Sequence, residues 1–536
     1  MKQNKIMSLI VLTALTACSH STNQNIPIQT SEQKAPVMSP KKTELTQHPI
    51  PQNLDFSQLK GETKSFELNG QTVSYRAFEN IVYVLNPSDT RYQFMNVYIP
   101  EAYFKGESVD GFNAQTAPIF LPNHVGGYMP ATASKPQLDR RKQTPNSIMT
   151  ALSKGYVVAS VGARGRTEAT GRAPAAILDL KAAVKYLKFN DKNMAGDANK
   201  IISNGTSAGG ALSALLGTSG NAPEFAPLLR EMGAADASDD IFAVSAYCPI
   251  TNLEHADMAY EWQFNGVNDY EKIQINQLGY DVERKLIKGT QTAEQIQLSG
   301  SLKNLFPNYI NNLKLHHHTY KTQNNKVVPT KESLTLDKHG NGSFKKYIEH
   351  KLLLSAQNVL GYETTSYDKA QIDEVKRATW LKVEKTNLKG DINGMVKSVD
   401  FDAYAKSVGR QKTTPAFDGV DLSTGENNLF GDQMIDKKHF TEFGAKHSTV
   451  SGSQTADPKI VHMMNAMNFT SKTKYYRIRH GVNDRDTSLA IPTLLALKLE
   501  NERKEVDFSL PWGQGHGGDY DLEELFAWAK QISSTK

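Results

Sequence analysis

The stretch from Ile201 to Leu212, Ile-Ile-Ser-Asn-Gly-Thr-Ser-Ala-Gly-Gly-Ala-Leu, constrains this chain more than any other. A short apolar β-type run enters the pentapeptide Gly205-Thr206-Ser207-Ala208-Gly209, and a small-residue helical pattern leaves it through Ala214, Leu215 and Leu216. A G-x-S-x-G segment between strand and helix holds its serine on a tight, strained turn with the hydroxyl exposed. Glycines on either side lack the Cβ atoms that would collide across such a turn. Ser207 is therefore the candidate nucleophile. The amide of Ala208, in the first turn of the helix, points toward developing negative charge, and the helix dipole adds to it.

The segments around this turn alternate. Val73–Arg76, Ile81–Val84 and Phe94–Ile99 read as strands of an antiparallel entry to a sheet. Pro118–Leu121, Gly155–Val161 and Ile241–Tyr247 are continuous apolar runs, as in strands buried on both faces. Between them, Ile177, Leu180, Ala183, Val184 and Leu187 recur at helical spacing over Ala175–Phe189. Tyr475–Arg479, a helix from Thr487 to about Asn501, Val506–Leu510 and a helix from Leu522 to Ile532 complete the series. The fold class is α/β: a mostly parallel sheet with helices on both faces, the α/β-hydrolase arrangement, with its core at 61–247 and 458–536.

From 248 to 457 the alternation stops. This polar stretch, with amphipathic helical pieces such as Tyr367–Lys382, reads as an inserted lid domain after a core strand, where loops sit at the active edge. His316-His317-His318 lies inside it. Three adjacent histidines on a helix splay around its axis and cannot converge on one metal.

In this fold the acid follows a late strand and the base follows the last one. Asp484 follows Tyr475–Arg479, and His516 follows Val506–Leu510 within a glycine-rich loop. His516 would take the Ser207 proton, and Asp484 would fix the imidazole tautomer and stabilise the imidazolium. His480 comes too early in its segment for the base; Asp486 is the alternative acid, less favoured by position. Asn123-His124-Val125-Gly126-Gly127-Tyr128 follows the Pro118–Leu121 strand, where Gly127 can turn its amide toward an oxyanion beside that of Ala208. His124 precedes the nucleophile and lies on the wrong loop for the base, so it reads as packing or lining.

The N-terminus carries Lys2 and Lys5, then an apolar run from Ile6 to Leu15 too short to span a bilayer, then Leu15-Thr16-Ala17-Cys18. This resembles a bacterial lipoprotein signal peptide over 1–17. The resemblance implies cleavage before Cys18, lipidation of its thiol, and a chain anchored in the cell envelope; Ser19 points to the outer membrane. Residues 18–60, rich in Gln, Ser, Thr and Pro, read as a flexible stalk. The formal charge of +5 falls to +3 without Lys2 and Lys5, close to neutral for a chain of 536 residues and no sign of a nucleic-acid partner. With Cys18 lipidated, Cys248 is the one remaining cysteine, which excludes a disulfide and a zinc or Fe–S site built on thiolates. No cofactor and no metal are implied, and the oligomeric state is not encoded in any recognisable pattern.

Gly205-Thr206-Ser207-Ala208-Gly209-Gly210, Asp484-Arg485-Asp486-Thr487-Ser488 and Asp519-Tyr520-Asp521-Leu522-Glu523-Glu524-Leu525-Phe526-Ala527-Trp528 together resemble the bacterial subtype B tannases. The likeness runs from about residue 70 to 536, strongest at the elbow and the C-terminal end, weakest in the insertion; the lipobox and stalk lie outside the family pattern. It implies a serine esterase that releases gallic acid from galloyl esters, with the first Asp of Asp-Arg-Asp, Asp484, as triad acid and the insertion as a lid. It further implies that Lys412, Glu426 and Asp486 recognise the galloyl hydroxyls. Two carboxylates accepting phenolic O–H bonds and one ammonium donating to a phenol oxygen suit a trihydroxylated ring. The partner is then a small aromatic ester. A feruloyl or general carboxylesterase with the same triad is the nearest alternative, and a non-catalytic tethered binding protein the alternative of another class. A prolyl-oligopeptidase-like peptidase lacks room for its propeller.

Overall fold

The computed structural model describes residues 45–139, 143–278, 281–323, 326–361, 367–385 and 393–534. The signal segment, Cys18 and most of the expected stalk lie outside the described residues. The stalk reading ends earlier than 60. Leu54 and Phe56 are buried in the core, and Asn190 clamps both, accepting from the Phe56 amide (2.9 Å) and donating to the Leu54 carbonyl (2.8 Å). Two apolar side chains in a polar run suffice to dock it.

In chain order the strands are β1 (Glu62–Leu68), β2 (Gln71–Val82), β3 (Phe94–Pro100), β4 (Pro118–Pro122), β5 (Val157–Val161), β6 (Asp197–Thr206) and β7 (Ala243–Tyr247). The segment after β7 adds β8 (Asp269–Leu278), β9 (Asp281–Thr290), β10 (His316–Gln323), β11 (Lys326–Ser333), β12 (Leu381–Glu384) and β13 (Met395–Val399). Then come β14 (Tyr475–Arg479) and β15 (Glu505–Ser509). Nine of them form one sheet in the order β1-β2-β3-β5-β4-β6-β7-β14-β15. The β1–β2, β2–β3 and β3–β5 pairs are antiparallel and the remaining five parallel. Every residue of β4, β5, β7 and β14 is buried, as in a sheet covered on both faces, the arginines Arg477 and Arg479 of β14 included.

Register carries the functional consequence. Thr206 of β6 lies beside Tyr247 of β7, Tyr247 beside Arg479 of β14, and Arg479 beside Ser509 of β15. Four parallel strands thus end level, and the loops that follow them share one rim.

Since β7 and β14 are sheet neighbours, everything between them is one excursion from that rim. It contains three two-stranded hairpins, β8–β9, β10–β11 and β12–β13, besides its helices. The sequence reading of this stretch, amphipathic helical pieces with no strand–helix rhythm, missed them, because each hairpin pairs only with itself outside the main sheet and none carries the continuous apolar run of a strand buried on both faces. His316, His317 and His318 stand in β10 rather than on a helix, and strand alternation likewise keeps three neighbours from converging. The amphipathic piece expected over Tyr367–Lys382 is helical only from Lys369 to Arg377, opened by an Asp368 capping box, before β12 begins.

A buried ion pair braces the excursion from within, and a neighbouring hydroxyl ties it to the rim. Arg410 and Glu261 both have fully buried side chains and meet bidentately, one pair of atoms at 3.0 Å. Arg410 also donates to the Val267 carbonyl (2.9 Å), and Thr414 donates to Glu261 (2.9 Å). Next to it, the Tyr260 hydroxyl accepts the amides of Gln411 and Lys412 (3.0 Å each) and donates to the Arg485 carbonyl (2.9 Å). Among the described residues no helix is long and apolar enough to cross a membrane.

Removing one partner of a buried pair leaves an uncompensated charge. Glu261→Ala is expected to lower the unfolding free energy by about 3–5 kcal/mol in urea denaturation; a loss under about 1 kcal/mol, the scale of an exposed pair, would contradict the arrangement.

Candidate active site

The β6 elbow is closed by backbone meeting backbone. Ser207 sits at φ 60°, ψ −122°, in a region that side-chain-bearing residues rarely occupy. A Cβ at Gly209 would lie 2.6 Å from the Asn123 Oδ1 and 2.8 Å from the Val125 carbonyl, one at Gly210 2.5 Å from the Tyr247 carbonyl, and one at Gly205 would fall on the Gly209 carbonyl. The Ser207 amide donates to the Tyr247 carbonyl (2.9 Å), so β7 holds the turn from the other side. Ser207 lines a cavity of about 1460 Å³. Ala208, first residue of the helix Ala208–Thr218, is buried directly behind it. The loop after β4 packs on the elbow through Asn123, whose amide nitrogen donates to the Asn204 carbonyl (3.2 Å), the Gly209 carbonyl (3.2 Å) and Ser213 Oγ (3.0 Å). That clamp brings Gly127 (φ 55°) to the cavity wall, and His124 lines the cavity too.

The loops after β14 and β15 pair with each other. Val482 donates to the Pro511 carbonyl (3.1 Å) and Asn483 to the Gln514 carbonyl (2.9 Å). His516 Nδ1 lies 2.8 Å from Asp484 Oδ2 and 3.7 Å from Asp486 Oδ2, so Asp484 is the carboxylate bonded to the imidazole. Asp484 is fully buried; its second oxygen accepts the Asp486 amide (2.9 Å). His516 lines the same cavity as Ser207, with no hydrogen bond joining the two side chains among the described residues. In unliganded sites such bonds are commonly long and tighten with substrate in place. Burial by itself would lower the His516 pKa, but Asp484 and Asp486 outweigh it and hold it well above that of an ordinary imidazole. Burial would raise Asp484, yet His516 and His480 hold it well below the usual carboxylate range.

Lys412, Glu426 and Asp486 line the cavity with Ser207 and His516. The Lys412 ammonium is 3.7 Å from Asp486 Oδ1 and 4.0 Å above the Phe417 ring, and Gln411 donates to the same Asp486 oxygen (2.6 Å). Glu426 stands in the short helix Gly425–Leu429, started by a Thr424 capping box. Behind it Asp418 accepts the Phe440 and Thr441 amides (3.0 and 2.8 Å) and the Asn427 side chain (2.7 Å), and Asp257 accepts the Phe417 and Asp418 amides (2.8 and 2.9 Å).

Several residues of this wall escaped the sequence reading. Arg166, in the loop after β5, donates to the Gly127 carbonyl (2.6 Å) and Asn428 Oδ1 (3.3 Å) and faces Glu426. Burial lowers its pKa, and Glu426 works against that. A lone arginine in a loop carries no motif, and neither do Asn123 or Tyr260. Cys248, His480 and Asp484 also come together, one ligand-type atom from each lying within 4.8 Å of the others. This mixed grouping was invisible to a cysteine count. A serine on an elbow, an imidazole bonded to a buried carboxylate and two adjoining loops form an arrangement chemically capable of acyl transfer.

The chain matches the family model described as BD-FAE over residues 114–339. Among solved structures it is similar to the tannase of Fusobacterium nucleatum, at 49% identity and TM-score 0.81, covering 90% of this chain and 100% of that one. It is similar to the tannase of Lactobacillus plantarum at 42% identity and TM-score 0.79, over 90% and 100% of the two chains. A tannin acyl hydrolase solved in complex with ethyl gallate is 43% identical, with TM-score 0.77, over 88% and 97%. No curated protein matches the chain.

The neutral imidazole is the form that accepts a proton, so a raised His516 pKa makes serine reactivity disappear as pH falls through that raised value. Labelling of Ser207 by a fluorophosphonate is expected to show its midpoint above pH 6.5, the ordinary imidazole value. Asp486→Asn removes one of the charges that raise it, so the midpoint is expected to move to lower pH; an unmoved or higher midpoint would refute the electrostatic account.

Proposed function

The chain belongs to the bacterial tannases, and on that premise we propose that Ser207, His516 and Asp484 form its catalytic triad. The protein is a carboxylic ester hydrolase acting on gallate esters. The reading of the site rests on one observation above the rest: the 2.8 Å bond between His516 and buried Asp484 opens onto the cavity that holds Ser207, Lys412, Glu426 and Asp486.

Ser207 Oγ attacks the ester carbonyl carbon while His516 Nε2 takes the hydroxyl proton. The amides of Ala208 and Gly127 receive the oxyanion. Collapse expels the alcohol, which takes the proton from His516. Water, deprotonated by the same imidazole, then cleaves the galloyl-serine, the proton returns to Oγ, and gallic acid leaves. Throughout, Asp484 holds the Nδ1–H tautomer. Related tannin acyl hydrolases bind ethyl gallate and 3,4-dihydroxybenzoate, which supports an aromatic acyl group lying beside Lys412, Glu426 and Asp486 here. Glu426 and Asp486 accept phenolic protons and Lys412 donates to a phenol oxygen. An acyl ring without hydroxyls leaves these enclosed groups unpaired, which costs several kcal/mol.

Methyl gallate is therefore expected to exceed methyl benzoate in kcat/KM by roughly a thousand-fold or more. Lys412→Ala and Glu426→Ala should each erode that ratio, and Ser207→Ala should abolish both activities. Comparable kcat/KM for the two esters would sink the recognition model, and ferulate-ester activity that survives both lid substitutions would favour a feruloyl esterase.

The lipobox supports a further part of the same proposal, that Cys18 carries the lipid that holds the enzyme in the cell envelope. Cys18→Ser is expected to release the enzyme from the membrane fraction and to end its labelling by radioactive palmitate; labelling that persists would exclude that anchor.

A further inference from the structure

On the side of Asp484 away from the cavity lies chemistry that ester hydrolysis does not use. Cys248 directly follows β7, and His480 directly follows β14. Because these neighbouring strands end level, both side chains arrive beside Asp484. Cys248 Sγ, a ring nitrogen of His480 and a carboxylate oxygen of Asp484 all lie within 4.8 Å of one another. All three residues are completely buried.

His480 is the odd member. Neither of its ring nitrogens has a hydrogen-bond partner among the described residues, although an imidazole enclosed this deeply ordinarily satisfies at least its N–H. Its Nδ1 is 3.6 Å from Asp484 Oδ2. That is close to the roughly 3.3–3.5 Å separating two ligands of a tetrahedral zinc ion that each stand about 2.1 Å from it. The Cys248 thiol is turned to the carbonyls of Gly517 (3.4 Å) and Gly515 (3.9 Å), which are weak partners for sulfur, so little holds it back. Sulfur, imidazole nitrogen and carboxylate oxygen form the donor set of borderline and soft divalent ions, not of calcium or magnesium.

We propose that Cys248, His480 and Asp484 form a binding site for a thiophilic divalent cation of the zinc class, and that its occupation switches the esterase off. The ion takes a lone pair from thiolate, imidazole and carboxylate; the Cys248 proton leaves to solvent, and no redox change occurs. Inhibition follows from a shared atom. Asp484 Oδ2 is the oxygen bonded to His516 Nδ1 (2.8 Å) and also the one nearest His480. A cation on that oxygen withdraws it from His516 and places positive charge beside the imidazolium that must form during acyl transfer. The inhibitory half of the proposal rests on the triad reading; the binding half does not. Asp484, Asp486 and His516 make a second grouping, open to the cavity and without sulfur, which is the competing location.

The test uses cobalt as a spectroscopic stand-in and a fluorophosphonate in place of gallate, which would itself chelate metal. Adding Co²⁺ to chelator-treated enzyme is expected to give a thiolate-to-cobalt charge-transfer band. That band should be absent in Cys248→Ser, and His480→Gln should weaken cobalt affinity by about tenfold or more. Saturating Zn²⁺ should slow labelling of Ser207 by at least about tenfold, reversibly with EDTA, while Cys248→Ser loses that sensitivity. No charge-transfer band, or equal zinc sensitivity in wild type and Cys248→Ser, would overturn the site and place any inhibition at the open carboxylates. A cobalt–thiolate band with zinc-insensitive labelling would overturn the switch and count against Asp484 as the triad acid, leaving the metal site standing.

Discussion

The whole arrangement depends on how little room there is around the turn between β6 and its helix. Three carbonyls and one carboxamide crowd positions 205, 209 and 210, and only residues without a Cβ fit there. The turn throws Ser207 into the positive-φ region, and the surrounding elements hold it there: the Tyr247 carbonyl on one side, Asn123 on the other. Strain of this kind persists only where the surroundings over-determine it. Those contacts also explain why the loops after β4 and β7 must approach the elbow so closely. The space that would separate them does not exist.

A second dependence runs through Tyr260 and the Arg410–Glu261 pair. One hydroxyl binds the amides of Gln411 and Lys412 and the carbonyl of Arg485, the residue between Asp484 and Asp486. The group proposed to read the acyl ring and the group that orients the imidazole are thereby tied to the same atom. Shifting the Gln411–Lys412 segment displaces both, so in the proposed reading recognition and catalysis share a frame. Charge reinforces this coupling. Asp486 touches Lys412 and Gln411 on one side and helps raise His516 on the other.

The sheet was readable residue by residue. Strands buried on both faces are mostly continuous apolar runs, and β4, β5 and β7 stood out for that reason, while the helix Ala175–Phe189 showed by its periodic spacing. Two expected strands, Val73–Arg76 and Ile81–Val84, proved to be parts of one longer β2, whose register slips between Phe78 and Ile81. The helix expected from Thr487 starts at Ala490, because Ser488 and Leu489 bond to the buried Gln263 side chain before the helix begins. The hairpins of the excursion gave no such signal, since none carries a continuous apolar run, although β12 and β13 pack Leu381, Val383, Val396 and Val399 on the core.

For the site the division is similar. Ser207, Asp484 and His516 could be picked out because topology demands a residue of each kind at the end of a particular strand, and glycine patterns mark those ends. Lys412 and Glu426 look like any surface charge in the sequence, and only likeness to a family singled them out. Arg166, Asn123, Tyr260 and the Cys248–His480–Asp484 grouping belong to no pattern at all. Sequence by itself determined the elbow, the alternation of strand and helix, and the order of the chemical groups along the chain, because steric exclusion and hydrophobic periodicity act between near neighbours. Tertiary structure alone decided which distant side chains share an oxygen or a carbonyl, because level strand ends and a folded-back excursion create those contacts between residues that the chain keeps far apart.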